Sequence, residues 1–249
     1  AGNVFGGTIQ QSSQGYMYFP TGGTVQRGRG RGLIAGGSSP TNNNRIEFFT
    51  IQSQGNSIEF GDLAVAGQNA GASSSTRALF GMGGQASPGG KQNVIQFVEI
   101  ATQGNAVDFG DRTIAKNGPG GLANQTRAVF AGGGAPVPQS DVMDFVTIAS
   151  LGNATDFGNM TSGNKNPACT ASSTRGIIVH GGDPLTNVID FITIATAGNA
   201  QDFGDATVSA EGLIASSSPT RGIIGGGLVS PAQINNIMFI TIATTGDAT

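Results

Sequence analysis

Apolar residues in this chain come in short runs, broken by Gly, Ser, Asn and Pro, and two kinds of run alternate. The first is an Arg, a small residue and an apolar pair: Arg31-Gly32-Leu33-Ile34, Arg77-Ala78-Leu79-Phe80, Arg127-Ala128-Val129-Phe130, Arg175-Gly176-Ile177-Ile178 and Arg221-Gly222-Ile223-Ile224. The arginines are 46, 50, 48 and 46 residues apart, and each run ends in a Gly cluster. The second run follows a variable, Pro-containing loop and reads RIEFFTIQS, NVIQFVEIAT, DVMDFVTIAS, NVIDFITIAT and NNIMFITIAT. A Gly-Asn or Gly-Asp pair comes next, then EFGD, DFGD, DFGN or DFGD around Phe60, Phe109, Phe157 and Phe203.

Each unit reads as four short strands. Strand A is the small-residue stretch before the Arg, such as Ala72 to Ser75 or Ala215 to Ser218. Strand B carries the Arg and its apolar pair. Strand C is the second run, rich in β-branched residues that suit a pleated surface. Strand D centres on the Phe-Gly motif, and the Gly-Asn pairs are expected to make a tight C–D hairpin. In NVIDFITIAT, Val188, Ile192 and Ile194 point one way while Ile189 and Phe191 point the other. A strand apolar on both faces is buried on both faces, which suits a sheet stacked between two neighbours.

Four antiparallel strands in a repeat of about 40–50 residues mark a β-propeller blade. The predicted fold is all-β: one five-bladed propeller over residues 1–249, with small strand-A residues innermost where the blades converge. An open β-solenoid or a row of sandwiches is the alternative. The fifth unit stops short of strand D, so residues 1–30 are expected to supply a closing strand, since an unpaired edge invites aggregation. One alignment puts Phe19 in the place of the strand-D Phe; a second sets AGNVFGG, Ala1 to Gly7, against AGNAQDFGD.

Composition narrows the function. The chain has 42 Gly in 249 residues, 11% charged residues and a net charge of −3, which gives no general attraction for nucleic acid. No apolar stretch is long enough to span a membrane. The N-terminal AGNVFGGTIQQ has no basic or apolar signal-peptide region. One Cys, Cys169, and one His, His180, leave no disulfide framework, no Cys or His metal cluster and no expected catalytic triad.

The repeating polar residues are the conspicuous chemistry. Arg31, Arg77, Arg127, Arg175 and Arg221 recur with acids that include Asp62, Asp111 and Asp205. The structural reading pairs each Arg with an acid or with carbonyls of its own or the next blade, because the planar guanidinium bonds bidentately. The functional reading is a cationic ring that holds an anion. A residue present in every blade is part of the blade's construction, which favours the structural reading. The D-F-G-D spacing lacks the ligand density of a calcium loop and reads as a strand end with its Phe packed between blades. No catalytic, metal or cofactor residue is assigned.

The Gly-Gly pair ending strand B, followed by an apolar strand and an outer aromatic strand, resembles kelch-type propeller repeats, although kelch blades carry a Trp that this chain lacks. The fuller pattern TRG-(apolar)-GG … NVIDFITIAT-GNA-DFGD is similar, over residues 20–249, to repeats of marine bacteriophage proteins, chiefly from phages of cyanobacteria. That resemblance implies a virion-associated or phage-encoded propeller; since the chain also lacks nucleophile–base pairs, metal clusters and a cofactor fingerprint, the expectation is a non-enzymatic virion component on capsid or tail, which docks to other structural proteins or contacts a host-surface glycan. A glycan-binding lectin is the alternative, and a carboxylate-pair glycosidase a weaker one. Binding is expected in the B–C loops, which vary in length, since loops on rigid scaffolds carry recognition.

Overall fold

The structure, a computed structural model, describes residues 30–37, 43–84, 90–134 and 138–249. The described residues form five antiparallel sheets arranged as a five-bladed β-propeller, with no helix. Blade 1 holds β1 (Arg31–Ala35), β2 (Arg45–Thr50) and β3 (Ile58–Asp62). Blade 2 holds β4 (Gln68–Ser73), β5 (Arg77–Gly84), β6 (Val94–Glu99) and β7 (Val107–Asp111). Blade 3 holds β8 (Gly120–Ala123), β9 (Arg127–Gly133), β10 (Ser140–Thr147) and β11 (Thr155–Asn159). Blade 4 holds β12 (Ala168–Ala171), β13 (Arg175–Val179), β14 (Val188–Thr193) and β15 (Gln201–Asp205). Blade 5 holds β16 (Ile214–Ser217), β17 (Arg221–Gly225) and β20 (Ile237–Thr241); β18 (Leu228–Val229) and β19 (Ala232–Gln233) form a small hairpin in its B–C loop.

The inner strands β4, β8, β12 and β16 touch one another in sequence around the axis, which explains their Gly, Ala and Ser content. Where two of them approach most closely the fit is tight: a Cβ at Gly121 of β8 would lie 2.7 Å from the Gly71 carbonyl of β4. The strands that follow the Arg strand are buried on both faces, as in β6 and β14. The core divides into four clusters, and each is a joint between consecutive blades. Between blades 1 and 2, for example, Ile46, Phe48 and Phe60 pack on Phe80, Val98 and Ile100. Apolar burial, the dominant favourable term in folding, is therefore invested between sheets.

The Gly-Asn pairs do not make the C–D turn. That turn is built earlier, with Ser53 N–H donating to the Thr50 carbonyl and its counterparts at Thr102, Ser150, Thr196 and Thr244. The Gly-Asn segment instead runs along the outer edge of the preceding blade. Gly104 N–H donates to Phe60 O (2.9 Å) and Ala106 N–H to Asp62 O (2.8 Å), while Asn105 Oδ1 accepts from Asp62 N–H (3.0 Å). The same three bonds join β7 to Gly152–Ala154, β11 to Gly198–Ala200 and β15 to Gly246–Ala248. The outermost strand of each of these blades is thus covered, which removes a free edge. Gly61, Gly110, Gly158 and Gly204 all have positive φ, and a Cβ at any of them would strike the carbonyl of the strapping Gly. That explains why Phe-Gly is invariant within the repeat.

The expected closing strand, on either alignment, lies outside the described residues.

Candidate functional site

The repeat arginines are framework. Each guanidinium lies over the strand-C Phe of its own blade: Arg31 on Phe48, Arg77 on Phe97, Arg127 on Phe145, Arg175 on Phe191 and Arg221 on Phe239, with the carbon 4.3–4.7 Å from the ring centroid. Four of them then cross to the next blade. Nη1 of Arg31, Arg77, Arg127 and Arg175 donates to the carbonyls of Ile100, Ile148, Ile194 and Ile242 at 2.6–3.1 Å. The strand-D Phe completes the stack edge-on: Phe60, Phe109, Phe157 and Phe203 sit 5.7–6.0 Å from Phe48, Phe97, Phe145 and Phe191. Weak hydration lets a guanidinium do this at modest desolvation cost.

Asp62, Asp111 and Asp205 form no ion pair with these arginines among the described residues; their backbones carry the strap described above. The acid that does meet one is Glu99, 2.8 Å from Arg77 Nε. The A–B turn ahead of Arg77, Arg127, Arg175 and Arg221 is held by the residue three positions earlier. Ser74, Asn124, Ser172 and Ser218 accept the Arg N–H through their side chains at 2.9–3.1 Å. These turns are not legible in the sequence, because a Ser among serines carries no signal until its register to the Arg is known.

A second set of polar residues breaks the repeat. One buried position on strand C is Gln96, Asp144, Asp190 and Met238 in blades 2 to 5. Each receives a backbone N–H from the segment that leaves the preceding blade, given by Val65, Thr113, Thr161 and Thr207. The two carboxylates recruit different partners. Asp144 faces Arg112 Nε at 3.3 Å, with both side chains fully buried. Asp190 faces His180 Nε2 at 2.9 Å, again with both buried, and accepts from Thr161 Oγ1 at 2.7 Å.

His180, the one His of the sequence, is therefore half of a buried pair. The exposed Ser162 stands beyond it, Oγ 3.4 Å from His180 Nδ1. Ser, His and Asp thus line up in the order of a hydrolytic triad, which the single His had seemed to preclude. A nucleophile also needs preorganised oxyanion donors and room for a substrate, and the larger cavities lie elsewhere.

Those cavities lie on the axis and between blades. One of about 430 Å³ opens where Arg31, Gly71, Ser73, Ala123, Thr170 and Ser217 meet. A second, of about 380 Å³, lies among Asn69, Pro119, Asn166 and Gly212 at other ends of the inner strands. A third, about 490 Å³, is a cleft between blades 2 and 3 with Ser74, Arg77, Glu99, Thr102 and Gln125 on its walls. Among the described residues no group of three or more His, Cys, Asp or Glu is placed to hold a metal. Cys169 sits on β12 with Sγ turned toward Gly120 of β8, and burial pushes its thiol up to about 12.

No family model and no curated protein matches this chain.

Proposed function

We propose that this propeller is a non-enzymatic interaction protein, a component of a phage virion on capsid or tail, that docks through its B–C loops and blade faces. The observation that carries the reading is how the repeated polar groups are used. Four of the five arginines, the Gly-Asn side chains and the Asp144 and Asp190 carboxylates are committed to holding blade to blade. What varies between blades is the B–C loop, from the short Asp183–Thr186 connection to the β18–β19 hairpin. Low charge suits docking, because weakly charged loops cost little to desolvate. The likeness of the repeat to marine phage repeats supports the virion as its place. The test is copurification: antibody against the chain should detect it in density-banded particles, at a constant ratio to the major capsid protein. A chain that stays in the soluble fraction of the lysate would count against it.

The blade 2–3 cleft favours a second reading, a glycan-binding propeller. Hydroxyl, carboxylate and amide groups of Ser74, Thr76, Thr102, Glu99 and Gln125 line it with the donors and acceptors a sugar needs. Binding on a glycan array, abolished by Glu99→Ala, would move the assignment to that reading.

A further inference from the structure

Two residues that depart from the repeat meet at the joint of blades 3 and 4. Counted from the repeat arginine, His180 stands where other blades have Met82, Gly132 and Gly226. Counted from the Thr that donates to strand C, Ser162 stands where Ile114 and Val208 stand. The joint itself requires neither. Between blades 2 and 3, Asp144 accepts from Thr113 N–H and Oγ1 at 3.2 and 2.9 Å and pairs with Arg112. Between blades 4 and 5, Met238 fills the position. Between blades 3 and 4 the two departures form one line. Asp190 Oδ2 lies 2.9 Å from His180 Nε2, and Ser162 Oγ lies 3.4 Å from His180 Nδ1. Nε2–H donates to the carboxylate, which leaves Nδ1 as the acceptor for the Ser162 hydroxyl.

Ser162 is fixed from both sides. Thr161 donates its N–H and its Oγ1 to Asp190, at 2.9 and 2.7 Å. Asn164 is fully buried; its Nδ2 donates to Pro184 O at 2.9 Å and its Oδ1 accepts from Gly181 and Gly182 N–H at 3.1 Å. Its own N–H donates to Ser140 O at 3.2 Å, so the loop is tied to blades 3 and 4 alike. The hydroxyl is exposed, whereas His180 and Asp190 are at 0% exposure. Shielding from water strengthens the attraction between that carboxylate and an imidazole that takes up a proton. The N–H groups of Ser162 and Gly163 donate to no acceptor among the described residues. In nucleophile-elbow enzymes the amide after the nucleophile meets the developing oxyanion, and Gly163 holds that place.

We infer that Ser162 is a nucleophilic hydroxyl, with His180 as its general base and Asp190 as the residue that positions the base, and that it takes acyl groups from activated esters. Ser162 Oγ attacks the ester carbonyl while His180 Nδ1 takes the hydroxyl proton. The bond from the acyl carbon to the leaving alkoxide or aryloxide breaks, the leaving group receives the proton from His180, and the acyl group stays on Oγ. The hydroxyl opens to solvent and not into one of the cavities described above, so the ester reaches it from solution. This chemistry does not depend on where the propeller resides.

An alkyl fluorophosphonate, applied to the full chain and mapped by peptide mass spectrometry, tests the nucleophile: the Oγ–P bond forms and fluoride leaves. Ser162 should be labelled at least about a hundredfold faster than the exposed Ser53 and Ser150, the lower end of what a general base contributes. His180→Gln should bring Ser162 down to the rate of those two. If that variant does not fold, the urea-unfolded native chain carries the comparison, and there all three serines should react alike. The single His makes the tautomer directly readable by ¹⁵N NMR, and the native chain should carry its imidazole proton on Nε2. Asp190→Asn should slow Ser162 and shift that tautomer together; slowing with the tautomer unchanged would refute the positioning role. Labelling of Ser162 no faster than Ser53 and Ser150 would overturn the inference. So would a folded His180→Gln that reacts at the native rate, or a native imidazole protonated on Nδ1.

Discussion

The guanidinium of Arg127 rests on the ring of Phe145, 4.4 Å from its centroid, and from there donates to the Ala195 carbonyl of the next blade at 2.8 Å. One side chain therefore ties together strands B and C of its own sheet and the sheet beside it. Arg127→Ala should destabilise the protein by about 2–3 kcal/mol, the sum expected of a partly desolvated cation–π contact and a charged hydrogen bond. Phe145→Leu, which keeps apolar volume and removes the ring, should cost less, and the double variant should cost less than the two together. Urea denaturation read as a double-mutant cycle measures the coupling. Strictly additive losses would show that the stack is geometric only.

Gly158 has φ +135° and faces the carbonyl of Gly198 across the blade 3–4 joint. Gly158→Ala should lose about 2 kcal/mol or more, from backbone strain together with the displaced strap. A methyl group added at Gly71, on the axial side of β4, would meet no atom within 4 Å, so Gly71→Ala should stay within about 0.5 kcal/mol of the parent. Thermal melts of the two variants side by side make the check.

The Arg112–Asp144 pair is fully buried, and Arg112 Nη1 has no hydrogen-bond partner among the described residues. Asp144→Ala strands a buried cation and should cost about 3–5 kcal/mol. Blade 5 shows the apolar solution to the same position, Met238 beneath Ala206 and Thr207. Arg112→Ala with Asp144→Met copies that solution and should recover most of the loss. A double variant no better than Asp144→Ala alone would mean that the pair is needed for packing and not merely tolerated.

Burial raises the Cys169 thiol from 9.0 to about 12, because the thiolate is penalised away from water. The unfolded chain then releases its proton at a lower pH than the folded one. Stability from this residue is whole below pH 9.0 and falls as pH rises toward 12. The native chain should lose melting temperature between about pH 9 and 11 faster than Cys169→Ala does. The folded protein should also react with a thiol reagent at about pH 8 far more slowly than the urea-unfolded chain. Equal rates would place the thiol in solvent.

Local chemistry carried the fold into the sequence. β-branched strand C, small-residue strand A and the period of the arginines each state a local preference, and a repeat states it five times, so chance matches cancel. The packing of Phe60, Phe109, Phe157 and Phe203 between blades was legible for the same reason. What the repeat could not reveal is which polar atoms meet across a joint. Asp62, Asp111 and Asp205 recur in step with the arginines, yet periodicity makes every repeated pair look coupled, and the guanidinium groups turned to carbonyls and rings. The Gly-Asn pairs resembled turns because a turn and a strap ask for the same backbone freedom; only the neighbouring blade's edge distinguishes them. His180, just past the end of β13, and Asp190 of β14 meet because the β13–β14 pairing folds one back on the other. Residues that break the repeat have no second copy to confirm them, so their partners are decided by tertiary packing alone.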